Sequence, residues 1–368
     1  MLSKTKHYFA SANTAQGFID YFSSNLQTLE KVYILKGGPG TGKSTIIKSI
    51  GNWCDEKGID CELLHCCSDP DSLDGIIIPH FKFAVVDGTA PHIIEPTIPG
   101  AIEEYVNLGI AWDSDKLKTH KKELIIIKEQ IEKCFTNANK CFAKGLLIHN
   151  EWEKIYIKNM NFVIANLLSM QTANLIINNA KFEKKSMEKH RFFGTSTPLG
   201  SIDYIESLTF NISKRYLIKG RPGTGKSTLL KKIVSCAINK GIDVEIYHCG
   251  FDANSLDMII LPELDVCVFD STAPHLYEPS SPNDEIIDMY AKCIKIGTDE
   301  KYKREIQGVS ANYNLTLQKG IEYLADAKKL HDEMEKYYIE SMDFNKIDII
   351  RDEIINNLDA LLIFPSEL

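Results

Sequence analysis

Two stretches of this chain carry the residue types that grip phosphate. The first spans Gly37, Gly38, Pro39, Gly40, Thr41, Gly42, Lys43, Ser44 and Thr45. The second spans Gly220, Arg221, Pro222, Gly223, Thr224, Gly225, Lys226, Ser227 and Thr228. Each follows an apolar run and opens an apolar-periodic segment, the strand–turn–helix setting in which a Gly-x-x-x-x-Gly-Lys-Ser pattern acquires meaning. Glycine admits positive φ and close backbone approach, so amide N–H groups can surround an anion. The first N–H groups of the next helix are unpaired and lie at its positive end. Lys43 and Lys226 are placed to reach the β- and γ-phosphates of a nucleotide, and the Ser44 and Ser227 hydroxyls to ligate Mg2+.

An apolar strand ending in an acid supplies the other half of such a site. FKFAVVD ends in Asp87 and LDVCVFD in Asp270, equally far downstream of the two lysines. A carboxylate there holds Mg2+ through water. The expected metal ligands are thus Ser44, Asp87, Ser227 and Asp270, and the expected catalytic groups begin with Lys43, Lys226 and these two acids. The residue after the acid is Gly88 or Ser271, not a glutamate that could activate water, so hydrolysis requires another group. The shared TAPHxxEP segment offers His92 and Glu95, then His275 and Glu278. A neutral His or an ionised Glu can orient water, while Pro91 and Pro96 suit the same segment to a structural turn. His65-Cys66 and His248-Cys249 read as core thiols beside hydrogen-bonded histidines, and Asp74 and Asp257 as phosphate- or water-positioning groups. Arg221 replaces Gly38 in the second loop, as a phosphate contact, an arginine finger or a solvated loop residue. No arginine precedes Arg191, so a finger for the first loop must come from the second half, from another chain, or be a lysine.

The elements that must position these residues are written twice. Lys226 follows Lys43 by 183 residues, as His275 follows His92 and Lys189 follows Lys6. About half of the residues from Lys31 to Pro96 are identical to their counterparts without insertion. Farther on, HNEWEKIYIKNMNF (His149 to Phe162) returns as HDEMEKYYIESMDF (His331 to Phe344). The pattern predicts two units, 1–187 and 188–368, with α/β cores over about 6–112 and 189–295. Helical appendages are expected over about 113–187 and 296–368, where proline is nearly absent and Leu124, Ile127, Ile131 and Cys134 recur at helical spacing. Within a unit the reading is a strand at His7 to Phe9, a helix over about Gln16 to Leu26, and a core strand into the loop. A helix from Thr45 to Lys57 then ends at Gly58, followed by strands at Cys61 to Cys66 and Phe81 to Val86. Two parallel-sheet cores of the α/β class are the expected fold. Strands still missing from each core are sought at Phe162 to Leu168 and Ala360 to Phe364.

Composition bounds the rest. With 44% hydrophobic and 25% charged residues, the chain is that of a folded, non-fibrous protein. A net charge of -8 argues against a broad nucleic-acid surface. The N-terminus lacks the apolar stretch of a signal peptide, no segment is long and apolar enough to span a membrane, and ten cysteines without a C-x-x-C pair read as reduced thiols. A cytoplasmic location is expected.

Both loops, each with a downstream apolar strand ending in Asp, resemble the P-loop NTPase superfamily, and their wording resembles its additional-strand ATPase branch. The whole arrangement, HC…D…SLD and D[GS]TAPHxxEP in duplicate, resembles a family of tandem P-loop ATPases of low-GC, spore-forming bacteria. That resemblance implies ATP, or another NTP, as ligand and its hydrolysis, and supplies no substrate or partner. The leading expectation is an ATPase with Mg2+ as cofactor that couples nucleotide binding and hydrolysis to conformational change and engages an unidentified protein partner through the helical appendages. No N-K-x-D guanine reader follows either core. A P-loop kinase acting on a small molecule or nucleotide, favoured by the missing glutamate, and a nucleotide-gated scaffold with little turnover stand as alternatives.

Overall fold

The structure, a computed structural model, describes residues 4–363. In the first half, β1 (Thr5–Phe9) leads into a hairpin of β2 (Ser11–Thr14) and β3 (Gly17–Asp20), then α1 (Phe22–Asn25). There follow β4 (Lys31–Lys36), α2 (Lys43–Lys57), β5 (Cys61–His65), β6 (Leu73–Ile78), β7 (Phe83–Asp87) and β8 (Glu103–Asn107). Three helices close this half: α3 (Ser114–Thr119), α4 (Lys121–Ile157) and α5 (Phe162–Ile177). The second half runs β9 (Glu188–Phe192), β10 (Gly194–Thr197), β11 (Gly200–Asp203), α6 (Ile205–Thr209), β12 (Lys214–Lys219) and α7 (Lys226–Ile238). It continues with β13 (Val244–His248), β14 (Leu256–Leu261), β15 (Val266–Asp270), β16 (Asp284–Asp288) and α8 (Met289–Cys293). The chain then forms α9 (Thr298–Lys301), α10 (Lys303–Ile339) and α11 (Phe344–Ile363).

Twelve strands build one continuous mixed sheet in the order β16-β12-β15-β14-β13-β9-β1-β5-β6-β7-β4-β8. The sequence pattern leads one to expect two wholly parallel sheets; the structure departs from this twice. The halves join edge to edge, where β1 meets β9 antiparallel at Phe9 and Phe192. Each half also carries an antiparallel strand, β6 between β5 and β7 and β14 between β13 and β15, while the other strands of that half are parallel. The joint is this one pair; beyond it Ser207 of α6 bonds the His7 backbone and Ser24 and Asn25 of α1 bond that of His190, so neither edge is left open there.

Local chemistry explains other differences. The helix expected over Gln16 to Leu26 is instead β3 and the four-residue α1. Gly17 turns at φ +100, and the Thr14 hydroxyl accepts from the Gln16 N–H and donates to the Gly17 carbonyl, which fixes a tight hairpin turn. The segments Phe162 to Leu168 and Ala360 to Ile363 are helical, not strands, and Phe364 lies outside the described residues. The missing strands are β6, a wholly buried run, and β8, a polar edge strand. Gly58 ends α2 in the left-handed conformation, as expected of a C-cap.

The long helices decide the packing. At about 1.5 Å per residue, 37-residue α4 and α10 are each about 55 Å long, enough to pass from one core to the other. They lie antiparallel, with the Phe142 ring filling the space over Gly320 and Leu317 against Gly145. Consequently α5 packs on α7, where Ala173, Ile176 and Ile177 join Leu230 and Ile233. In the same way α11 covers α2, where Ile347, Ile354 and Leu358 join Ile46, Ile50 and Trp53. Each half thus lays its last helices on the other half's core. Backbone bonds pin the exchange: Asp113 N–H to Ser341 O and Asp343 N–H to Ala111 O at one end, and Asn161 N–H to Cys293 O and Lys295 N–H to Asn159 O at the other. No helix among the described residues is long and apolar enough to cross a membrane.

Candidate functional site

The strand-to-helix turns form as the glycine spacing demands. Gly40 and Gly42 sit at φ +62 and +90, and Gly223 and Gly225 at +72 and +87, so both loops use left-handed backbone that a side chain would resist. The Thr41 hydroxyl donates to the Gly38 carbonyl at 2.9 Å and the Thr224 hydroxyl to the Arg221 carbonyl at 2.7 Å, closing each turn. Helices α2 and α7 then begin at the two lysines, with their positive ends facing the loops.

Charged groups converge there in both halves. Lys43 Nζ donates to the Gly37 and Gly38 carbonyls and stands 3.7 Å from Asp87 Oδ2. Lys226 Nζ donates to the Arg221 carbonyl and stands 3.5 Å from Asp270 Oδ2. The other oxygen of each acid is occupied: Oδ1 accepts from the N–H and hydroxyl of Thr89 or Thr272, which aims Oδ2 at the lysine. The Ser44 hydroxyl accepts from Leu73 N–H at 3.0 Å and the Ser227 hydroxyl from Leu256 N–H at 2.9 Å. These bonds place each serine one residue from the acid that follows, buried Asp74 or half-buried Asp257. Asp74 is 4% exposed, and its Oδ2 has no hydrogen-bond partner. Serine hydroxyl, strand-end carboxylate and second carboxylate all offer hard oxygen donors, which suit Mg2+ rather than a thiolate-seeking metal. Thr45 and Thr228 follow on the exposed side of their helices.

The two TAPH segments differ in detail. His92 is buried against Phe22, and its Nε2 lies 3.5 Å from Asp74 Oδ2 as an ion pair rather than an aligned hydrogen bond. Burial pushes the imidazole down, but Asp74 outweighs it and brings it up to about 9. His275 instead bonds Asp203 at 2.7 Å. That leaves Asp257, where burial and then Asp270 push the carboxyl up to about 6. Glu95 and Glu278 sit on the surface, gripping Lys36 and Lys219 at the ends of β4 and β12; Lys36 also holds the Gly88 and Ile94 carbonyls. These glutamates fasten the TAPH segment to the sheet. Arg221 pairs with Asp299 at 3.1 Å and lies over the Tyr290 ring. Cys66 and Cys249 are thiols that burial pushes well up, beside His65 and His248, which bond the Pro70 and Ala253 carbonyls.

Sequence reasoning passed over the groups that arrive from the opposite half. A Cβ at Gly38 would stand 2.7 Å from the Tyr338 ring, and one at Gly40 only 3.1 Å from the Glu335 carbonyl. A Cβ at Gly223 would stand 2.7 Å from the Glu153 carbonyl and 2.9 Å from its Cα. The ends of α10 and α4 therefore rest on the first and second loops respectively. Their signal was present in the repeated HNEWEKIY and HDEMEKYY, whose His, Glu and Tyr stand at i, i+4 and i+7 on one helix face. The same contact explains the one difference between the loops. Gly38 admits Tyr338, whereas opposite Arg221 the matching Tyr156 donates instead to Asp299.

Comparison with protein-family models, with curated proteins and with solved structures finds no match to this chain.

Proposed function

We propose that the chain binds two Mg·nucleoside triphosphates, one on each glycine loop, and hydrolyses them, ATP being the expected nucleotide. The duplication read in the sequence then corresponds to two nucleotide-binding cores fused edge to edge. One observation carries the reading: in both halves a loop lysine faces a strand-end acid, at 3.7 and 3.5 Å, beside a first-turn serine bonded next to a second aspartate. A structural turn needs a glycine, but it does not need a half-buried lysine–carboxylate pair reproduced with its serine. In this reading the loop amides and the helix end bind the phosphates, and Lys43 or Lys226 stabilises the charge that develops on the transferred group. Mg2+ held by Ser44 and Asp87, or by Ser227 and Asp270, would neutralise phosphate oxygens. Closure reaches the rest of the molecule through α4 and α10, which rest on the loops.

The test is Mg2+-dependent phosphate release from ATP and GTP without an added acceptor, with nucleotide binding followed in parallel. Lys43→Ala and Lys226→Ala should each lower release, and the double variant should abolish it. Release that requires an acceptor would make the protein a kinase. Lysine-dependent binding without release would make it a nucleotide-gated scaffold, and release indifferent to both lysines would sink the reading.

A further inference from the structure

The cores lack a free acid beside Asp87 and Asp270, because Gly88 and Ser271 follow them. Glu95 and Glu278 are engaged with lysines at the surface, and Asp74, buried, and Asp257, half-buried, follow the residues that bond the serines. The acidic residues that do reach the loops belong to the crossing helices. Glu153 packs its backbone on Gly223, and its carboxylate faces both the Gly223 N–H and Lys226. Glu335 packs on Gly40, and its Cβ lies 3.4 Å from the position a Cβ there would take. Each glutamate has a histidine one turn earlier on the same face: His149 Nδ1 is 3.9 Å from Glu153, and His331 Nδ1 is 3.6 Å from Glu335.

We propose that each glycine loop takes its water-activating base from the other half of the chain, Glu335 for the loop at Gly37 to Ser44 and Glu153 for the loop at Gly220 to Ser227. This rests on the nucleotide hydrolase reading above and adds the missing residue to it. In the step, a water oxygen forms the new bond to the γ-phosphorus as the bond from that phosphorus to the β,γ-bridging oxygen breaks. The glutamate takes the water's proton and later releases it to solvent; the electron pair of the broken bond leaves with the nucleoside diphosphate. Burial pushes the Glu153 carboxyl up, only partly offset by Gly223 and Lys226, which makes it a stronger proton acceptor than an exposed glutamate. Burial and then Lys226 push His149 down to about 4, so its ring is neutral and able to bond the carboxylate without quenching it. The spacing is repeated in both halves while two of the three intervening residues vary, Asn-Glu-Trp in one and Asp-Glu-Met in the other.

The test combines Glu153→Gln and Glu335→Gln with the loop lysine variants. In the otherwise unchanged chain, the double Gln variant should keep its affinity for Mg·ATP and lose phosphate release by at least about a hundredfold. The crossing is tested separately. Residual release in Lys43→Ala comes from the second loop and should collapse on adding Glu153→Gln; residual release in Lys226→Ala should collapse on adding Glu335→Gln. The opposite pairing would overturn the crossing, as would release that both Gln variants leave intact. Faster release with tighter nucleotide binding would overturn the base role and make the glutamates plugs on the loops. Thermal midpoints within about a degree of the parent would show that the isosteric Gln variants are folded. If the unmodified chain neither binds nor hydrolyses nucleotide, the hydrolase reading itself fails. If it hydrolyses while the Gln variants match it, only the present inference fails.

Discussion

Replacing Arg191 by methionine removes the fully buried cation from a cluster with two buried glutamates. Arg191 is 0% exposed at the junction of β1 and β9. Its Nε donates to Asn25 Oδ1 and its Nη2 to Glu62 Oε2, both at 2.7 Å, while Nη1 stands 3.3 Å from Glu245 as an ion pair. Its guanidinium lies 4.1 Å from the Tyr8 ring centroid, and Tyr8 and Tyr247 each donate to one glutamate at 2.8 Å. Burial pushes both glutamates up, but Arg191 and then Lys6 outweigh it, so both carboxyls are held below the usual range. Methionine keeps much of the volume and leaves two carboxylates with only the half-exposed Lys6 and the two tyrosines. Breaking a buried pair from one side costs about 3–5 kcal/mol. The pH dependence follows from the signs. In the parent, the lowered carboxyl pKa values give stability that is present above the ordinary carboxylate range and lost only as pH falls through the lowered values. In the variant, burial loses its largest opponent and the carboxyls rise, so the penalty grows with pH and relaxes as they take up protons. Urea unfolding should show Arg191→Met less stable by that amount at pH 8, with a narrower gap at pH 5. A variant within about 1 kcal/mol of the parent at pH 8, or a gap that widens on acidification, would refute the argument.

Two further outcomes are expected, besides those for the loop lysines and the helix glutamates. Burial pushes His65 and His248 each down to about 4, with His7, Lys48, Asp74 and Tyr204 facing the first and His190, Lys231 and Tyr21 the second. Their neutral rings give stability that is complete above pH 6.5 and lost as pH falls toward 4, on the order of 3 kcal/mol each. The double variant His65→Gln with His248→Gln should flatten the thermal midpoint between pH 6.5 and 4.5; an undiminished slope would assign the acid sensitivity elsewhere. Gly38→Ala drives a methyl to 2.7 Å from the Tyr338 ring and should cost about 1–3 kcal/mol. Tyr338→Ala should absorb most of that cost in a double-mutant cycle, and additive effects would show that the ring and the loop do not touch.

Local chemistry was legible in the sequence, and long-range placement was not. The glycine loops, α2 with its Gly58 cap, and β7 ending in Asp87 each announce themselves within a dozen residues, through positive-φ demand, helical spacing and an apolar run. The Gln16 to Leu26 segment misled because Phe18, Ile19 and Phe22 mimic a helical face, although Gly17 three residues after Thr14 marked the hairpin. β6 was hidden by its position: Leu73 and Asp74 continue a polar loop, and the Ile run after them reads equally as strand or helix. The crossing of α4 and α10 has no local signature at all. It follows from helix length and from which core an apolar face finds, and only the recurrence of His, Glu and Tyr at matched positions pointed to a shared task.

The exchanged helices bear on how the molecule responds to dilution. Ile347, Ile354 and Leu358 cover the first core from the far end of the chain, so residues 1–187 alone would expose the Ile46, Ile50 and Trp53 surface to water. Two separate half-chains could bury these surfaces only by finding each other, and their folded fraction would depend on concentration. One covalent chain replaces that encounter with an effective concentration in the millimolar range, fixed by the connection through Lys184 to Met187. Assembly of the two loops with their crossing helices is therefore a property of the single molecule, as complete at nanomolar as at micromolar protein.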